Sequence, residues 1–150
     1  MRENPAAAPR GLWILAIAGL APFPAAALAF TMGPASVSAA ALDLLLGWGA
    51  LVLAFLGGVH WGLESGRRSP RARRMAASLA PPTGGSLIFL ARDHLELSVV
   101  LGGLIVAFLA QWLMDHRTPD SPGRWPVLST ALTASACVGL AIALEGALRL

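Results

Sequence analysis

Two pairs of polar side chains, each four residues apart, interrupt long apolar runs in this 150-residue chain: His60 with Glu64, and Gln111 with Asp115, which His116 follows. On a helix, four-residue spacing puts both members of a pair on one face. An imidazole and a carboxylate so placed can share a proton or hold a cation. Ionisable groups inside apolar spans mark ligand, ion or proton handling, because burying them without a partner is costly. His60, Glu64 and Asp115 are therefore the candidates for ligand or proton handling. A plainer role stands beside each. His60 lies about one turn from a span end, where a hydrogen bond to a neighbouring helix suffices to hold it. Glu64 can pair with Arg67 or Arg68 in a solvated contact worth little.

Other chemistry finds less support. His94 is predicted on the opposite side from His60 and His116, so no three-histidine cluster forms, and neither a metal nor a haem is expected. Cys137 is the single cysteine; it offers no internal disulfide and reads as a small apolar side chain. Phosphate-loop, nucleophile-elbow and zinc-protease motifs are all missing. No catalytic residue and no cofactor is assigned. With no acidic residue near the middle of any span, a strongly ion-coupled pump is disfavoured.

The elements that must hold these residues follow from composition. With 56% hydrophobic and 13% charged residues, the chain has too little polar surface for a water-soluble domain of its size, and its apolar residues come in blocks that suit lipid. Five spans are predicted, at about 11–30, 42–63, 75–91, 95–114 and 127–148, giving an all-α membrane protein. They form one membrane domain behind a flexible amino end, residues 1–10. The third span carries Pro81, Pro82, Thr83, Gly84, Gly85 and Ser86 at its middle. It is expected to kink and to need neighbouring helices, because proline removes a backbone donor.

All eleven basic residues are arginines, and nine of them fall at the amino end, in the second loop (Arg67, Arg68, Arg71, Arg73, Arg74) and in the fourth loop (Arg117, Arg124). The positive-inside rule then puts the amino terminus in the cytoplasm and the carboxyl terminus outside, in a bacterial inner membrane. Trp13, Trp61, Trp112 and Trp125 fall at span ends on the same side, and Trp48 lies toward the other. The arginines flank apolar spans and are not interleaved with aromatics, so nucleic acid is not an expected partner. The lipid bilayer is. The first span also admits a second reading, as a cleaved signal peptide ending near Ala25-Ala26-Ala27-Leu28-Ala29.

Packing signals concentrate in the second span. Ala50, Ala54, Gly58 and Gly62 recur every four residues, with Gly47 and Gly57 close to the same stripe. Small residues at that spacing allow close approach of another helix, either from this chain or from a second copy or membrane-protein partner. Pro22 and Pro24 are expected to bend or unwind the first span. Asp43 is expected at the amino end of the second helix, where a carboxylate is stabilising. Glu145 and Arg149 form an i,i+4 surface pair.

The stretch Leu15-Ala16-Ile17-Ala18-Gly19-Leu20-Ala21-Pro22-Phe23, and the Phe55-Leu56-Gly57-Gly58-Val59-His60-Trp61-Gly62 core that ends the second span, resemble a family of small bacterial membrane proteins of unknown function. That family includes a mitochondrial relative, transmembrane protein 69. Pro81, and Gln111 with Asp115, fit the resemblance, which runs from Gly11 to about Leu132. The fourth loop departs from it, with Pro119, Pro122, Gly123 and Pro126 among few basic residues. The resemblance implies that the first span is retained, and it implies no activity. Three readings of function stay open: a non-enzymatic assembly or interaction protein, a small transporter or channel using His60 and Glu64, and a membrane enzyme or cofactor-binding subunit.

Overall fold

The structure, a computed structural model, describes Ile14, residues 17–117 and residues 125–149. The amino end 1–10, Trp13, the start of the first predicted span, and most of the fourth loop including Arg124 lie outside the described residues. Five α-helices follow one another: α1 Pro22–Met32, α2 Ala35–Ser65, α3 Ala72–Leu90, α4 Leu97–Arg117 and α5 Trp125–Leu148, with a 3-10 turn at Arg92–His94 before α4. The described residues contain no strand. The helices Ala35–Ser65, Leu97–Arg117 and Pro126–Leu148 are long and apolar enough to cross a membrane, and Ile17–Met32 is a shorter apolar helix.

Neighbours in sequence pack against one another, α5 closes the bundle against α1, and α2 packs against all four other helices. The core sits around Phe23, Leu53, Leu56, Leu104, Phe108 and Leu140, all fully buried. Phe23 meets Phe108 edge to face, ring centroids 5.8 Å apart, an arrangement that aligns the positive ring edge with the negative face.

Helix α2 starts seven residues before the predicted span. Pro34 stands at its N-cap with extended backbone, and Ala39, Ala40 and Ala41 favour helix strongly, whereas Ser36 and Ser38 before them interrupt the apolar run. At ~1.5 Å per residue its 31 residues run to roughly 46 Å, longer than the ~30 Å hydrocarbon layer. The early start corrects the placement of Asp43. It lies two turns inside the helix, exposed, with its carboxylate 3.7 Å from Arg92, and not at the amino end. Arg92 also stacks over the Phe89 ring at 4.5 Å, which ties the 3-10 turn to α3.

Each proline pair leaves carbonyls without helical donors, and the bundle supplies partners. Pro24 frees the Leu20 carbonyl, which accepts a hydrogen bond from Ser135 Oγ of α5 at 2.9 Å. One residue earlier, Trp48 Nε1 of α2 donates to the Gly19 carbonyl at 3.1 Å. Helix α3 runs through both Pro81 and Pro82 as one element. Pro82 frees the Ser78 carbonyl, which faces Gly57 of α2 so closely that a Cβ there would sit 2.9 Å from it. Ser135→Ala is expected to lower stability by about 1 kcal/mol, read as an earlier midpoint in SDS-titrated unfolding, because Leu20 then keeps a buried acceptor without a donor.

The small-residue stripe divides between two surfaces. A Cβ at Gly57 would collide with Pro82, and one at Gly47 would touch the Phe89 ring, so these two glycines serve the contact between α2 and α3. Gly58 and Gly62 have no atom within 4 Å of a Cβ position. With Ala54 they face outward, while Ala50 is half-buried.

Candidate functional site

The buried face of α2 runs Leu45, Leu46, Gly49, Val52, Leu53, Leu56, Gly57, His60, Glu64. These positions step by three and four, the period of one helix face. His60 and Glu64 thus continue the apolar inner face, and the packing that buries Leu53 and Leu56 carries the imidazole and the carboxylate inward as well. Both sit at the arginine-rich end of the bundle.

Asp115 of α4 meets His60 there. His60 Nε2 lies 2.5 Å from Asp115 Oδ1, with side-chain exposures of 7% and 1%. The approach is close but not aligned as a hydrogen bond. Gln111, one turn back on α4, donates from Nε2 to the same Oδ1 at 3.0 Å. Ser129, in the first turns of α5, donates from Oγ to Oδ2. Three helices therefore converge on one carboxylate. Away from water this contact is stronger than at a surface, and removing any member strands the others. The polar column continues one turn deeper, where Gln111 Oε1 and Thr133 Oγ1 are buried without a hydrogen-bond partner.

Glu64 is turned toward the arginines. Its Oε1 accepts from the Arg71 backbone N–H at 3.0 Å, and its Oε2 lies 3.2 Å from Arg67 Nε and 3.9 Å from Arg74 Nη1. The residue is buried, so this is a held cluster and not the solvated pair with Arg67 or Arg68 that the sequence also allowed. Above it opens a cleft of about 190 Å³ between α2, α3 and the end of α4. His60 and Glu64 line it together with Arg67, Arg74, Ser78 and Arg117, beside the apolar Leu63, Ala77 and Met114.

The candidates His60, Glu64 and Asp115 thus come together, as two contacts and not one: His60 with Asp115, and Glu64 with the arginines. His116 stays apart; its Nδ1 approaches the Trp112 carbonyl at 3.1 Å, and its side chain is exposed. His94 lies in the 3-10 turn, at the other end of α3 and α4 from these residues. Among the described residues no three His, Cys, Asp or Glu side chains gather at metal-binding distance. Ser129 and Thr133 escaped the sequence reading. Their signal is a polar pair at i,i+4 spacing in an apolar run, opposite Asp115 and Gln111 once α5 folds back along α4. Glu145 and Arg149 do form their exposed pair.

One family model matches residues 8–145; its description is Protein of unknown function (DUF3429). No curated protein and no solved structure matches the chain.

Proposed function

Because the chain belongs to this family of proteins of unknown function, its activity is read from its own residues, and we propose that it is a small, non-enzymatic transporter of the bacterial inner membrane. In this reading the chain crosses the bilayer several times, with the arginine-rich end and the amino terminus in the cytoplasm and the carboxyl terminus in the periplasm. The excess of arginine at that end supports the orientation. Kinship with transmembrane protein 69 belongs to the same reading and rests on the Phe55–Gly62 core.

The observation that carries the proposal is the buried contact between Asp115 and His60, which lines the cleft. Such a pair holds one proton between two sites without changing its net charge. Adding a second proton leaves a net positive charge away from water, which is costly unless an anion arrives with it. Proton uptake and ligand binding are thereby linked through the cleft. Proteoliposome flux tests this directly: under an imposed gradient of small inorganic anions the wild-type protein is expected to move protons across the bilayer, and Asp115→Asn and His60→Gln are each expected to lose that flux. Equal flux in all three proteins, or none in the wild type, would sink the proposal.

A second reading, as an assembly or interaction protein, draws support from the open face of Ala54, Gly58 and Gly62. Small residues without a neighbour in their own chain suit a second helix from a partner. Cross-linking in native membranes separates the two readings, since Gly58→Leu abolishes the cross-link only if this face is used.

A further inference from the structure

We infer that the cleft over Glu64 is a binding site for a phosphoryl oxyanion, presented either as free phosphate or as the headgroup of an anionic phospholipid. The inference deepens the transporter reading by naming its ligand class, and it rests on that reading only for which compartment supplies the ligand.

Three guanidinium side chains line the cleft, from Arg67 after α2, Arg74 in the first turn of α3 and Arg117 at the end of α4. Against them stands one carboxylate, Glu64, in contact with two of the three. One carboxylate against three guanidinium groups leaves the cleft with an excess of positive charge. Glu64 works as a clamp. It is buried and fixed by the Arg71 backbone, so it fixes in turn the direction from which Arg67 and Arg74 reach the cleft. A pre-oriented guanidinium is the group best matched to phosphate oxygens, because its planar fork offers paired donors.

Arg117 lies on another helix, so donors converge on the cleft from the loop after α2, from α3 and from α4. A tetrahedral anion accepts from several directions at once; a planar carboxylate does so less well. Ser78 lines the same wall, its one hydroxyl proton donated to the Met75 carbonyl. The remaining wall, Leu63, Ala77 and Met114, suits the glycerol and upper acyl carbons of a lipid whose phosphate sits among the arginines. It also lowers the local dielectric around a free anion, which strengthens the contact.

The test uses the full chain in two arms. In the first, inorganic phosphate is titrated calorimetrically into protein held in maltoside micelles, with chloride at equal ionic strength as reference. In the second, protein in phosphatidylcholine nanodiscs doped with phosphatidic acid is analysed by native mass spectrometry for the lipid it retains. Binding in the first arm alone identifies free phosphate; retention of phosphatidic acid in the second alone identifies a headgroup; both outcomes support the site. Arg74→Gln and Arg117→Gln are each expected to weaken the interaction about tenfold, and Arg74→Lys to restore only part of it, since the charge returns without the fork. Arg149→Gln, at the opposite end of the bundle, leaves it unchanged. The proposal is overturned if neither probe outcompetes its reference, or if the two glutamine variants bind as the wild type does while unfolding at the same SDS concentration. Because binding is read at the arginine variants and proton flux at the His60 and Asp115 variants, loss of this inference and loss of the proton reading are separate results.

Discussion

Asp115→Ala is expected to lower the unfolding free energy of the micelle-held protein by about 3–5 kcal/mol, among the largest losses for any single polar truncation in this chain. The carboxylate receives Gln111 Nε2 and Ser129 Oγ and lies against His60 Nε2. All four residues are buried. Truncation leaves an amide, a hydroxyl and an imidazole facing one another with no common acceptor and little water to replace it, and each orphaned group costs about 1–3 kcal/mol. Repacking recovers part of this, so the sum is not simply additive. Asp115→Asn keeps the shape and one carbonyl oxygen, and a loss of roughly 1–2 kcal/mol is expected. A double-mutant cycle with His60→Ala isolates the pair: the double variant should lose less than the two single losses added together. A loss below about 1 kcal/mol for Asp115→Ala, the centre of the ordinary range for point mutants, would show that the cluster is wet and loosely held.

Much of this arrangement could be read before folding, for a physical reason. Lipid forces every backbone polar group to be satisfied within the segment, so a long apolar run has little choice but helix, and the lengths of α4 and α5 follow closely from hydropathy. Hydropathy could not see the helix beyond the apolar run. Ala35 to Ala41 fold as the start of α2 through alanine propensity and the proline cap, and Asp43 ended up inside the helix as a result. The four-residue spacing of His60 with Glu64, and of Gln111 with Asp115, gave the faces. Spacing placed Arg67 within reach of Glu64, but it does not give the rotation of one helix against another, and that rotation is what turned His60 toward Asp115 and Glu64 toward Arg74. Ser129 could not be assigned a role at all until α5 was laid beside α4. The small-residue stripe shows the same limit. A four-residue step overshoots one turn by roughly 40°, so the series from Ala50 to Gly62 spirals away from the inner face, whereas the three-and-four alternation that carries Gly57 stays on it.

That divergence sets the last prediction, which turns on two adjacent glycines. Gly57→Leu is expected to cost roughly 3 kcal/mol, the upper end for overpacking, and to disrupt the contact between α2 and α3. The first added carbon alone would sit 2.6 Å from Pro82 Cγ and 2.9 Å from the Ser78 carbonyl oxygen. Neither neighbour yields readily, since one is a ring fixed in the backbone and the other is backbone itself. Gly58→Leu adds its side chain to open space and should leave stability within about 0.5 kcal/mol of wild type. SDS-titrated unfolding of the purified variants reads both. If Gly58→Leu proves the more damaging in isolated protein, the rotation of α2 described here is wrong by about a quarter turn, since roughly 100° separates neighbouring residues on a helix. His60 would then face away from Asp115 too. The stability ranking of two neighbouring glycines is therefore also a test of the buried pair, and it is independent of any ligand.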